Sequence, residues 1–224
     1  MKKRTIFIGD IHGCFDELEL IIKKLNYSAK TDRLIFLGDL INKGPKSAAV
    51  VDYVQSLKAE VILGNHELAY LKKENAKKNW QKWFETFPTF IEDENFIAVH
   101  GGIAPGLKLS ETPNKILTRL RTWDGSGNEV NSPQHLPWFF SYKNIKPVFF
   151  GHWAALGFVQ YKNVTGLDSG CVYGGELSAW ILETSELVQI KAKKCYEEAE
   201  AGFSLDQKWY QEKLKAVLSQ KPLA

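Results

Sequence analysis

The first third of the chain places its apolar residues in short solid runs separated by stretches of helical period. "TIFIG" (5–9), "LIFLG" (34–38) and "VILG" (61–64) are apolar throughout. Between them, Leu18, Ile21, Ile22 and Leu25 recur at helix spacing within Asp16 to Leu25, and Ser47 to Leu57 predicts a second helix. Strands with no polar face, alternating with helices, predict a parallel sheet covered on both sides.

Beyond residue 67 the pattern changes. "LAYLKKENAKKNWQKWFETFPTF" (68–90) predicts a basic, aromatic helical excursion. Phe96 to Val99 and Val148 to Gly151 predict further strands, with a helix opened by Thr112 and Pro113 and reaching about Leu120 between them. The Gly, Asn, Ser and Pro density of 124–137 predicts a surface loop. Val164 to Asp168, Leu177 to Leu182 and Leu187 to Ile190 predict a closing run of strands. Ser204-Leu205-Asp206-Gln207 resembles a capping box opening a terminal helix, with Tyr210, Leu214, Val217 and Leu218 on its inner side. The expected division is a catalytic domain over 1–190 and a helical extension over 191–224 packed on the same body.

Composition narrows the class. A length of 224 residues with 44% hydrophobic content suits one domain with a real core. With 29 basic and 26 acidic residues, the net charge of +3 permits an anionic small substrate without demanding a polymer. Cys14, Cys171 and Cys195 are too widely spaced for a disulfide framework or a CxxC site, which fits a reducing compartment. The opening "MKKRTIFIGD" has too short an apolar run for a signal segment, and no stretch is long enough to span a membrane. The expectation is a soluble cytoplasmic protein.

Each strand ends in a polar motif: "GDIHG", "GDLINKGP", "GNHE", "VHGG" and "GHW". In open α/β sheets ligands bind beyond the carboxyl ends of strands. Asp10, His12, Asp39, Asn65, His66, His100 and His152 should therefore meet at one edge, taking up four of the five histidines. The fifth, His135, falls in the loop and reads as a surface residue. Any one motif has a bland reading as a turn or a capped helix start; all five in order do not. Three histidines and two carboxylates with an amide oxygen form a mixed N/O ligand set suited to Mn, Fe, Zn or Co. A carboxylate between the others, most naturally Asp39, can bridge two ions about 3.5–4 Å apart that clamp a phosphoryl group and activate water.

In this order, "GDIHG", "GDLINKGP", "GNHE", "AVHGG" and "FGHWAALG" resemble the phosphoprotein-phosphatase superfamily of binuclear metallophosphoesterases. The stretch "GLDSGCVYGGELSAW" resembles more narrowly the bacterial symmetrical bis(5'-nucleosyl)-tetraphosphatases, and the likeness runs over roughly residues 5–182. The resemblance implies an α/β (α+β) fold built on a metallophosphoesterase-type central β-sandwich flanked by helices. It implies that Asp10, His12 and Asp39 hold one metal and Asp39, Asn65, His100 and His152 the other, with His66 as general acid or phosphate-side donor. The implied cofactors are two divalent transition-metal ions, manganese first, with Co, Fe or Zn as alternatives. The implied reaction is cleavage of diadenosine tetraphosphate to two ADP. Rival readings are a Ser/Thr or broad-specificity phosphatase, an enzyme removing nucleoside-tetraphosphate caps from RNA 5' ends with the 68–90 segment as contact surface, and a binding scaffold that has lost chemistry. The last would lack ligands, and none is missing.

Many protein phosphatases carry Asp-Arg where this chain has Asn42-Lys43. Asn42 supplies no charge to His66, and Lys43 supplies a point charge rather than a fork. Both changes favour a leaving group that needs little protonation, such as a nucleoside diphosphate. Arg121, with Arg119 as the alternative, is expected to clamp phosphate, Tyr173 to wall the site and Trp153 to stack on a base. Lys72, Lys73, Lys77 and Lys78 read mainly as a solvated helix face.

Overall fold

A computed structural model describes residues 4–132, 134–199 and 212. Its elements run β1 (Arg4–Ile8), α1 (Phe15–Lys24), β2 (Asp32–Phe36), α2 (Ser47–Leu57), β3 (Glu60–Val61), α3 (Asn65–Tyr70), α4 (Lys78–Phe84), β4 (Phe90–Glu92), β5 (Ile97–Val99), α5 (Asn114–Arg119), β6 (Val148–Phe150), β7 (Val159–Tyr161), β8 (Val164–Gly166), β9 (Glu176–Ile181) and β10 (Glu186–Lys191). Of the expected C-terminal helix, only position 212 lies within the described residues.

The strands form two five-stranded sheets, ordered β10-β9-β1-β2-β3 and β4-β5-β6-β8-β7. The parallel sheet expected for the first third is present as β1, β2 and β3, inside the β-sandwich that the resemblance implied. β1, β2 and β3 run parallel, but β9 and β10 extend that sheet antiparallel. The reason lies in what covers the second face of β1 and β2. Ile6, Ile8, Leu34 and Phe36 turn outward to α1 and α2, whereas Phe7, Ile35 and Leu37 turn inward to the other sheet. There Phe7 stacks on Phe149 at 4.0 Å between ring centroids and meets Phe96 edge-on at 4.8 Å. Both faces are buried, so alternation is absent from the sequence.

Helix α1 presents Leu18, Ile21 and Ile22 to the core, with Asp16 and Glu17 in its first turn and Lys23 and Lys24 in its last, matching the helix dipole. Helix α2 buries Val50, Val51 and Val54. The 68–90 segment holds the end of α3, all of α4 and the first residue of β4 rather than one continuous helix. Trp80 and Phe84 anchor it in the core while Lys72, Lys73, Lys77 and Lys78 face solvent. On the far side, Leu117, Trp138 and Phe139 pack over β6. No helix among the described residues is long and apolar enough to cross a membrane.

A candidate binuclear metal centre

The loops leaving β1 and β2 are tied together by main-chain bonds. Ile11 and His12 N–H donate to the Asp39 carbonyl at 3.1 and 2.8 Å, and Gly44 N–H donates to the His12 carbonyl at 2.8 Å. On the second sheet, Gly151 N–H donates to the His100 carbonyl at 2.9 Å. These ties force unusual backbone at the site: His12, Asp39, Asn42, Lys43 and His152 all have positive φ, between 46° and 71°. Non-glycine residues enter this region at a cost, and such strain collects at functional sites. Close approach shapes the floor too, since a Cβ on Gly64 would fall 2.2 Å from Asp39 Oδ1.

The structure brings together all seven side chains expected at the strand ends, with Asp39 at their centre. Its Oδ2 lies 3.6 Å from His12 Nε2, 3.4 Å from His100 Nε2 and 3.9 Å from His66 Nε2. Its Oδ1 accepts the His66 N–H at 2.8 Å. Asn65 Oδ1 is 3.1 Å from His100 Nε2. Asp10 Oδ2 stands 3.9 Å from His12 Nε2, and the Asp10 carboxylate accepts the His152 N–H at 3.0 Å. Two groups of donor atoms, each within 4.8 Å, share Asp39: one adds His12 and His66, the other His100 and His152.

These residues fit divalent ions. The Ile41 carbonyl meets His12 Nδ1 at 3.1 Å and the Leu37 carbonyl meets His100 Nδ1 at 2.6 Å. In the neutral rings a proton on Nδ1 serves those carbonyls and leaves each Nε2 lone pair facing Asp39, the orientation that metal-binding histidines need. The charge balance agrees. Burial, then the nearby Asp168, pushes the Asp10 carboxyl well above its usual range. Burial also acts to raise Asp39, but His100, His12 and His66 hold it well below. His100, despite burial, is raised to about 10 by Asp39 and Asp10. Burial lowers His12 to about 3, and takes His152 well below the usual range with help from Arg121. Asp10 and His100 are both pushed towards their protonated forms, so each carries a proton that a bound cation would displace.

The donors open into a cleft of ≈ 530 Å³ that is also lined by Lys43, Arg119, Arg121 and Tyr173. Lys43 Nζ lies 3.3 Å from His12 Nε2 and 5.0 Å above the Tyr173 ring. Burial works against its charge, but a hydrogen bond to Tyr173 and the carboxylates of Asp39 and Asp168 hold its pKa above the ordinary value. Asn42 Nδ2 meets His66 Nδ1 at 3.1 Å. Arg121 Nη2 donates to the His152 carbonyl at 3.3 Å, and both arginines reach the cleft. Trp153 departs from the expectation: at 5% exposure it packs in the core of the second sheet. His135 pairs with Glu129 at 3.3 Å, away from the centre.

Three contributions escaped the sequence reading. Glu67, inside the quoted "GNHE", is fully buried and accepts the N–H groups of Asp39, Leu40 and Ile41 at 2.8, 2.9 and 3.3 Å. Asp168 follows β8 and lines the cleft, so the strand-end rule that pointed to the candidate ligands also pointed to it. Glu197 and Glu198 reach the rim from the C-terminal segment, which no motif marked.

Comparison with known proteins agrees with this geometry. Residues 3–156 match the family described as calcineurin-like phosphoesterase. The chain is 31% identical to a symmetrical bis(5'-nucleosyl)-tetraphosphatase of Vibrio parahaemolyticus, covering 82% of this chain and 97% of the relative. It is 26% identical to a protein of the same name from Neisseria meningitidis, covering 83% and 94%. The crystal structure of a candidate diadenosine tetraphosphatase superposes with a TM-score of 0.80 at 28% identity, covering 86% of this chain and 95% of that one. A Sphaerobacter thermophilus metallophosphoesterase, with a TM-score of 0.54 at 14% identity, shares the fold. Calcineurin-like phosphoesterases use a binuclear divalent metal centre, and the two groups meeting at Asp39 supply candidate ligands for one. The chain belongs to the calcineurin-like phosphoesterase family, among relatives named symmetrical bis(5'-nucleosyl)-tetraphosphatase.

Proposed function

We propose that this protein is a two-metal hydrolase that splits diadenosine tetraphosphate symmetrically into two ADP. The observation that carries the reading is the full donor set around Asp39, opening into a cleft that also holds Lys43, Arg119 and Arg121. Asp10, His12 and Asp39 would hold one ion, and Asp39, Asn65, His100 and His152 the second. Manganese suits this N/O set, with Co, Fe and Zn sharing its preferences. When bound, the ions supply charge to phosphoryl oxygens and activate water for in-line attack.

The chain's own groups complete the site. Lys43 remains cationic and faces the phosphate region with the two arginines, where a polyanion of several phosphates needs distributed charge. His66 points Nε2 toward Asp39 while Asn42 holds its other nitrogen, so the ring stays oriented without a carboxylate behind it. That arrangement positions a donor for phosphate oxygen and gives limited help to a basic leaving group. A nucleoside diphosphate leaves without such help, which favours phosphoanhydride over serine phosphoester. The relatives' names point to the same substrate class. The three free cysteines fit a reducing cytoplasm.

The test compares kcat/KM for diadenosine tetraphosphate and for a phosphoserine peptide with manganese-loaded protein. The tetraphosphate should be preferred by orders of magnitude; preference for the peptide would move the protein to the phosphatases.

A further inference from the structure

Beneath the cleft lies a second cluster of donor side chains that the catalytic set does not use. Cys14 at the start of α1, Glu17 in its first turn and Cys171 in the turn after β8 are buried, at 1%, 0% and 2% exposure. One donor atom from each, two sulfurs and a carboxylate oxygen, lie within 4.8 Å of one another. Glu17 Oε1 is fully used, accepting the Lys193 N–H at 2.9 Å and the Tyr196 hydroxyl at 2.8 Å. The other oxygen, Oε2, is buried and has no hydrogen-bond partner among the described residues. A buried acceptor left in this state is unfavourable, so the position calls for a cation or a proton.

We propose that Cys14, Glu17 and Cys171 form a binding site for one thiophilic divalent cation of the zinc class, separate from the catalytic pair. The choice of ion follows from the donors. Two sulfurs and a carboxylate select zinc over manganese or magnesium, which prefer oxygen and nitrogen, so the two centres take different metals. Zinc bonds of about 2.3 Å to sulfur and about 2.0–2.2 Å to oxygen need only a small closing of the present cluster. Three protein ligands leave a fourth tetrahedral position for water.

Charge supports the assignment. Two sulfur anions and a carboxylate exceed the ion by one negative charge, and the N-terminus of the ten-residue α1 faces them with its positive dipole end. The Lys193 N–H and Tyr196 hydroxyl add two donors to the same carboxylate. The site also has structural leverage. It joins the start of α1, two residues past His12, to the turn after Asp168. Through Tyr196, whose N–H donates to the Val172 carbonyl at 2.9 Å, it also joins the segment that reaches the cleft rim.

The test uses cobalt(II) as probe on the full chain with its catalytic centre loaded with manganese. One equivalent should give an intense sulfur-to-cobalt charge-transfer band, which added zinc bleaches by displacement. The band should persist in Cys195→Ser and in Asp39→Asn, and be lost in Cys14→Ser and in Cys171→Ser. Cobalt uptake by the wild-type protein without the band would overturn the proposal, as would a band that disappears with Cys195. The wild-type measurement decides even where a serine variant fails to fold, and circular dichroism identifies such a variant.

Discussion

Glu67 holds the main chain of the residue at the centre of the donor set: its Oε2 accepts the Asp39 N–H at 2.8 Å, while Oε1 accepts that of Leu40 at 2.9 Å. Asp39 sits at φ 52°, where a non-glycine residue needs support. Glu67→Gln keeps the shape but turns one acceptor into a donor facing an N–H. We predict a stability loss of about 1–3 kcal/mol, because a buried donor goes unsatisfied. Turnover and metal retention should fall with it. Thermal melting, metal analysis and kcat on one preparation check this, and an unchanged kcat would mean that Asp39 holds its position unaided.

What could be read from the chain follows from how local each cause is. The strands β1 and β2 stand out because both faces are buried, and the candidate ligands stand out because they follow strand ends. Periodicity alone does not reveal the sandwich, which the motif resemblance implied, since Phe7 finds Phe149 only in the folded chain. Strand β3 is shorter than its apolar run because the Leu63 N–H leaves the ladder for the Pro88 carbonyl at 2.8 Å. Trp153 misleads for a related reason: it adjoins His152, but its side chain belongs to the core. Glu67 lay in plain view inside a quoted motif. Its partners are 26 to 28 residues upstream, so nothing local announced its task.

Asp39 and His66 should separate by metal content. Asp39→Asn removes a charge shared by both donor groups and should lower metal occupancy and turnover together. His66→Asn should cost about 10²–10⁴-fold in turnover, the range for a lost proton-donating group, with both ions kept. Loss of an ion from the His66 variant would place that ring among the ligands, in line with its position beside His12 and Asp39.

We predict that Asn42 and Lys43 set the leaving-group preference. Restoring the phosphatase pair as Asn42→Asp with Lys43→Arg puts a carboxylate behind His66, where the amide now stands at 3.1 Å. Alkyl phosphate monoesters should gain in kcat/KM more than diadenosine tetraphosphate does. Equal gains for both substrates would show that the pair acts on binding alone.

Acid stability should depend on Asp32. Its carboxylate takes the Arg4 Nε at 2.9 Å and Nη2 at 2.7 Å, and that hydrogen-bonded guanidinium lowers its pKa against the opposing effect of burial. A depressed carboxyl contributes stability that is complete above its unfolded value, about 3.9, and is lost as pH falls through the folded value. Urea midpoints from pH 7 downward should drop more steeply below about pH 4 in the wild type than in Asp32→Asn. Parallel curves would mean that the fork is screened by solvent.

The most direct measurement is product analysis of diadenosine tetraphosphate hydrolysis by the manganese-loaded protein, resolved before secondary breakdown. Symmetric attack predicts ADP as the sole initial nucleotide, two per substrate consumed, with turnover lost on chelation and regained on adding metal. ATP and AMP in equal amounts, or turnover that survives complete metal removal, would contradict it.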